Sequence, residues 1–99
     1  MIRHIVLWRL KGDSPVEKAQ RGAEVKQALE SLNGKIPGMI MLQVCSDFGR
    51  TAESSDIALY AEFVDRAALD AYQKHPDHQK VMPLVREART ERRVIDFEA

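Results

Sequence analysis

Ile2-Arg3-His4-Ile5-Val6-Leu7-Trp8-Arg9-Leu10 is the stretch that decides the fold. It is rich in β-branched and aromatic residues, and both of its alternating sets contain apolar side chains: Ile2, Val6, Trp8 and Leu10 in one, Ile5 and Leu7 in the other. A strand apolar on both sides is expected to be central in its sheet and covered on both faces. Two further segments share this character. Met39–Phe48 carries Ile40, Leu42 and Val44 in one set and Met41 and Cys45 in the other, and Asp56–Val64 sets Ile57, Leu59, Ala61 and Phe63 against Ala58, Tyr60 and Val64. A shorter strand is expected at Val94-Ile95-Asp96-Phe97, after the charged stretch Arg89–Arg93.

Helical signals lie between these strands. Ser14-Pro15-Val16-Glu17 combines a capping hydroxyl, a proline suited to the first helical position and a glutamate that reaches back to the cap. Apolar residues then recur at three- and four-residue steps through Leu32, and Asn33-Gly34 ends the helix because glycine enters the left-handed region cheaply. Gly49–Ser55 is polar and aperiodic, and reads as a loop. Asp65 caps a short helix that buries Ala68, Leu69 and Tyr72. His75-Pro76 interrupts it, since the residue before a proline is pushed out of the helical region, and a new helix starts at the proline. The order β-α-β-β-α-β, with its second helical region split, predicts an α+β, ferredoxin-like domain: a four-stranded antiparallel sheet with helices on one face.

That arrangement leaves the other sheet face uncovered, where an antiparallel sheet in water should carry polar residues. About ten large apolar side chains, at about 1.5–3 kcal/mol each, would be a heavy loss against a typical domain stability of about 5–15 kcal/mol. The simplest cover is a second copy, sheet against sheet, about a two-fold axis. A homodimer is the expected assembly.

Ninety-nine residues suit one domain, spanning 1–99. Fifteen basic residues balance fifteen acidic ones, interspersed along the chain, so no field exists to attract a polyanion and nucleic acid is not an expected partner. The apolar runs are far shorter than the roughly 20 residues of a spanning helix, so no membrane partner is expected either. The amino terminus passes into strand-like sequence without a secretory pattern, and Cys45 is the one cysteine, so a cytoplasmic location is expected.

Candidate chemistry gathers around the histidines. With the first strand central and the helix break over its end, His4, Tyr72 and His78 are expected to converge at the mouth of a cavity between sheet and helices. His78 falls in the first turn of a helix, where the positive end of the macrodipole favours the neutral imidazole, able to act as a base or acceptor. Asp77 opposes this. The plainer alternative makes His75 a helix cap, His78 a gap filler and Tyr72 a core residue. Three histidines with only Asp77 as a visible supporting carboxylate make a poor metal site, and no metal is expected. Cys45, flanked by apolar residues, is expected to be a buried small hydrophobe. No glycine-rich phosphate loop is present, and no cofactor is expected.

Along nearly its whole length the chain resembles the stress-responsive A/B barrel domain family, also called dimeric α+β barrel or Dabb proteins. The resemblance rests on His4-Ile5-Val6-Leu7, on Ile36-Pro37-Gly38-Met39, on Asp56–Phe63 and above all on Leu69-Asp70-Ala71-Tyr72-Gln73-Lys74-His75-Pro76-Asp77-His78. It implies a homodimer with sheets packed face to face. In a plant polyketide cyclase of the family, a tyrosine and a histidine matching Tyr72 and His78 carry an aldol ring closure, with a further histidine matching His4. Ile57 stands where that cyclase has a strand histidine, and Leu29 where it has a pocket tyrosine. The resemblance therefore implies a pocket with His78, Tyr72 and His4 as catalytic residues, walled by Val25, Leu29, Ile57, Leu59 and Trp8, that takes a small hydrophobic carbonyl or polyketide-like compound. Two alternatives stand beside it: a non-catalytic protective stress protein whose oligomer is the functional unit, and, by analogy of fold, a cofactor-independent lyase or oxygenase.

Overall fold

The computed structural model describes all the residues, Met1 to Ala99. Its elements run β1 (Ile2–Leu10), α1 (Pro15–Glu30), β2 (Met39–Ser46), β3 (Ile57–Phe63), α2 (Arg66–Lys74), α3 (Pro76–Ala88) and β4 (Arg89–Glu98). The four strands form one antiparallel sheet in the order β2-β3-β1-β4. This is the ferredoxin-like fold. β1 is central, as its two apolar faces require.

The inner face of β1 points Ile2, His4, Val6, Trp8 and Leu10 at the helices, and all five are buried. Leu59, Ala61 and Phe63 of β3 and Leu42 and Val44 of β2 continue that surface, while Val25 and Leu29 of α1, Tyr72 of α2 and Val85 of α3 close over it. Burying these side chains is the main favourable term in the fold. The outer face presents Ile5, Leu7, Tyr60, Ile95 and Phe97 with no helix over them; Leu7 keeps 38% of its surface exposed, Ile95 58% and Phe97 37%.

Two strands differ from the sequence expectation. β4 begins at Arg89, five residues before Val94, and the charged stretch pairs with the far end of β1, Leu7 opposite Arg93 and Trp8 opposite Arg92. β4 is an edge strand, and ladder hydrogen bonds do not depend on side-chain polarity; charges there discourage pairing with stray strands. In β2 the register shifts between Met39 and Met41. The irregularity leaves Ile40 exposed, keeps Leu42 and Val44 inside, and sets Cys45 on the uncovered face, where it is exposed rather than buried. The other edge of the sheet is covered by side chains from the end of α1. Asn33 donates to the Leu42 carbonyl (2.8 Å) and accepts from the Leu42 N–H (2.9 Å), while Glu30 accepts from the Val44 N–H (2.9 Å) and Lys26 donates to the Val44 carbonyl (2.7 Å). No helix is long and apolar enough to cross a membrane.

Candidate active site

The break between α2 and α3 positions the histidines. Pro76 has no N–H to give the carbonyl of Tyr72, which accepts instead from the His75 N–H (3.1 Å). His75 caps α3: its Nδ1 accepts from the Asp77 N–H at 3.1 Å. With the Asp77 N–H committed there, the Gln73 carbonyl is left for side chains, and it accepts from His78 Nδ1 (3.2 Å) and from Gln79 Nε2 (2.7 Å). A carbonyl only accepts, so this bond puts the His78 proton on Nδ1 and leaves Nε2 with a free lone pair. Burial lowers the His78 pKa from the ordinary 6.5; the Gln73 carbonyl works the other way, and the nearby His4, Arg86 and Arg92 add to the lowering. The imidazole is therefore neutral at pH 7.

Tyr72 packs its ring against His78 (centroids 4.4 Å apart) and Phe63 (5.1 Å) and stands edge-on to His4 (6.2 Å). Burial pushes its hydroxyl far above the usual phenol range, against a weaker pull from Arg92, so the group stays protonated and can donate. His4, 3% exposed at the start of the central strand, bonds Asp96 of β4 through Nδ1. Asp96 is the supporting carboxylate that a reading of neighbours in sequence did not reveal; it lies opposite His4 in the β1–β4 register, 92 residues away along the chain. Only the pairing of the first and last strands brings the two together.

His4, Tyr72 and His78 border a cavity of about 250 Å³ between the sheet and α2–α3. Of the residues expected to wall it, Trp8, Leu29 and Leu59 do so. Val25 instead is packed into the core at 1% exposure, and Ile57 faces a different, more open cleft of about 470 Å³ beside the start of α1. The larger cleft is lined mainly by turn and loop residues and lacks the histidines and Tyr72, so the candidate residues gather at the smaller one. Arg86, Arg89 and Arg92 also reach the smaller cavity. The sequence showed the last two only as part of a charged run, and their placement follows from β4 starting early. No group of three or more His, Cys, Asp or Glu side chains is arranged to hold a metal ion.

The model of the stress-responsive A/B barrel domain family matches residues 2–99. The chain belongs to that family. A dimeric ferredoxin-like protein of unknown function from Bacteroides fragilis is similar to this A/B barrel domain at 32% identity over 99% of this chain and 95% of that one, with a TM-score of 0.86. A dimeric ferredoxin-like protein of unknown function from Thermobifida fusca matches at 28% identity, 99% and 90% coverage and a TM-score of 0.81. A Dabb family protein from Mesorhizobium loti matches at 25% identity, 99% and 95% coverage and a TM-score of 0.75. A comparison with curated proteins gives no match.

Proposed function

We propose that this A/B barrel domain works as a homodimer, joined through the outer face of its sheet, in which each subunit binds a small carbonyl compound beside His78 and Tyr72 and moves a proton on it. The observation that carries the reading is the pairing, at one cavity, of a neutral imidazole with a phenol that burial keeps protonated. The two groups touch through their rings, and their states at pH 7 are those of a base and a hydrogen-bond donor.

In the proposed step the C–H bond beside the ligand's carbonyl breaks, its proton passes to Nε2 of His78, and its electron pair moves onto the carbonyl oxygen as an enolate. The Tyr72 hydroxyl donates to that oxygen as its charge develops. Asp96 holds the His4 ring in place. A volume of about 250 Å³ is below the roughly 300–1,000 Å³ of ordinary ligand sites, which suits a single ring or short chain better than an extended polyketide.

Support for the dimer is separate. The outer face keeps Leu7, Ile95 and Phe97 partly exposed in one subunit, and similar solved structures are dimeric. The test of the site is a panel of small aromatic and aliphatic ketones and aldehydes screened by thermal shift and for exchange of the proton beside the carbonyl into deuterated water. Wild type should bind and exchange at least one member; Tyr72→Phe should keep binding and lose most of the exchange, and His78→Ala should lose the exchange. Equal exchange in His78→Ala would remove the proposed base.

A further inference from the structure

The charge lining the cavity is one-sided. Arg86 and Arg89 from the end of α3 and its junction with β4 and Arg92 of β4 all border it, and its lining contains no Asp or Glu. In a chain whose fifteen basic and fifteen acidic residues cancel, such an imbalance at one concavity focuses positive potential there. None of the three arginines is in an ion pair, although Arg9 and Arg66 on other surfaces each find a glutamate, Glu91 and Glu98. Asp96, the acidic residue that most affects Arg92, is already taken by His4.

A second observation is independent of charge. Trp8 lines the same cavity, is 3% exposed, and its indole Nε1–H is buried without any acceptor. A buried donor left unmade costs about 1–3 kcal/mol, and such groups in native proteins normally have a partner. Trp8 and Arg92 are direct partners in the β1–β4 register, so their side chains leave neighbouring backbone positions on the same face of the sheet. What both lack is an acceptor oxygen, and what the guanidinium lacks is a negative one.

We propose that the natural ligand of this cavity carries a carboxylate, held by Arg92 with Arg89 and Arg86 around it and, once a small shift of the indole uncovers it, by the Trp8 N–H, with its apolar body lying against Leu29 and Leu59. The proposal rests on the cavity being the ligand site and names the class of compound it takes: a small aromatic or alkyl carboxylic acid of about ten non-hydrogen atoms. The size follows from the volume, which equals that of roughly eight liquid waters. Guanidinium forks match carboxylate geometry in two parallel bonds. Phosphate would satisfy the same donors but would leave the apolar wall unused.

Trp8 is the chain's one tryptophan, so its fluorescence reports on the cavity without a label. The 99-residue chain is titrated with benzoate, with its neutral isostere benzamide, and with inorganic phosphate, at low salt and pH 7. The expected result is benzoate binding at least tenfold more tightly than either other probe, with Arg92→Gln abolishing the preference over benzamide. Arg86→Gln, at an exposed position, makes the same comparison where Arg92→Gln does not fold, and should reduce the preference at least threefold. Equal affinity for benzoate and benzamide overturns the carboxylate and leaves the carbonyl site standing. Phosphate binding as well as benzoate also overturns it, as does a preference that survives both variants. Failure of all three probes, together with failure of every ketone and aldehyde in the panel above, removes the ligand site itself.

Discussion

Replacing Ile95 by lysine should separate the subunits. Ile95 lies on the outer face of the sheet, opposite Ile5 of the central strand, with 58% of its surface exposed in one subunit. Full burial of an isoleucine stabilises by about 1.5–3 kcal/mol, so covering the remaining half or so is worth about 1–1.5 kcal/mol per copy. A two-fold interface counts it twice, giving about 2–3 kcal/mol, and at about 1.4 kcal/mol per factor of ten the apolar loss alone raises the dissociation constant roughly thirtyfold to a hundredfold. Lysine adds the cost of a desolvated, unpaired ammonium on each side, so the shift should exceed a hundredfold. Val16→Lys is the control. Val16 is 75% exposed and lies in the first turn of α1 on the helical side, so a lysine there leaves the outer face of the sheet untouched. Sedimentation equilibrium from nanomolar to micromolar concentration measures both. Val16→Lys should behave as wild type, and Ile95→Lys should sediment as a single chain at concentrations where wild type is paired. If both variants keep the two-chain mass across that range, the sheet face is not the interface.

Two glycines with nearly equal φ should differ in their tolerance of alanine. Gly34 (φ +81°) has open space around a built Cβ, so Gly34→Ala should cost only the left-handed conformation, about 1–2 kcal/mol; at Gly38 (φ +80°) the new methyl meets the Ala68 Cβ at 2.6 Å, which adds about 1–3 kcal/mol of overpacking. Urea unfolding at matched concentration should rank Gly38→Ala clearly below Gly34→Ala, and equal costs would mean that the contact with α2 relaxes freely. The lowered His78 pKa carries a sign: the unfolded chain binds its proton near pH 6.5 and the folded chain only below that, so this group's contribution is fully present above pH 6.5 and is lost as pH falls towards the folded value. The stability of wild type relative to His78→Gln should therefore decline on acidification from pH 7 to pH 5, and a difference that stays flat or grows would show that the imidazole is not held neutral.

Periodicity located β1, β2, β3 and the helices, because each buries one recognisable set of side chains. Ser14-Pro15, Asp65 and His75-Pro76 marked the ends they mark in the structure, since caps and prolines act on their immediate neighbours, whereas α1 stops at Glu30, capped by Ser31, ahead of the Asn33-Gly34 end expected for it. Pro83 shows the limit of such local rules: it sits inside α3 without ending it. The start of β4 was hidden because an edge strand needs only backbone pairing, which leaves no apolar pattern in Arg89–Arg93. The candidate site divides along the same line. Tyr72 and His78 were legible because six residues and one helix break separate them. Asp96 and the arginines were not, because strand register alone sets Asp96 against His4 and Arg92 against Trp8. The amino-acid sequence by itself determined the elements, their order and the two apolar sides of the sheet, all consequences of neighbours a few residues apart. Only the tertiary structure decided which charges face the cavity and which donor there lacks a partner, because those depend on residues about ninety positions apart being brought within a few ångströms.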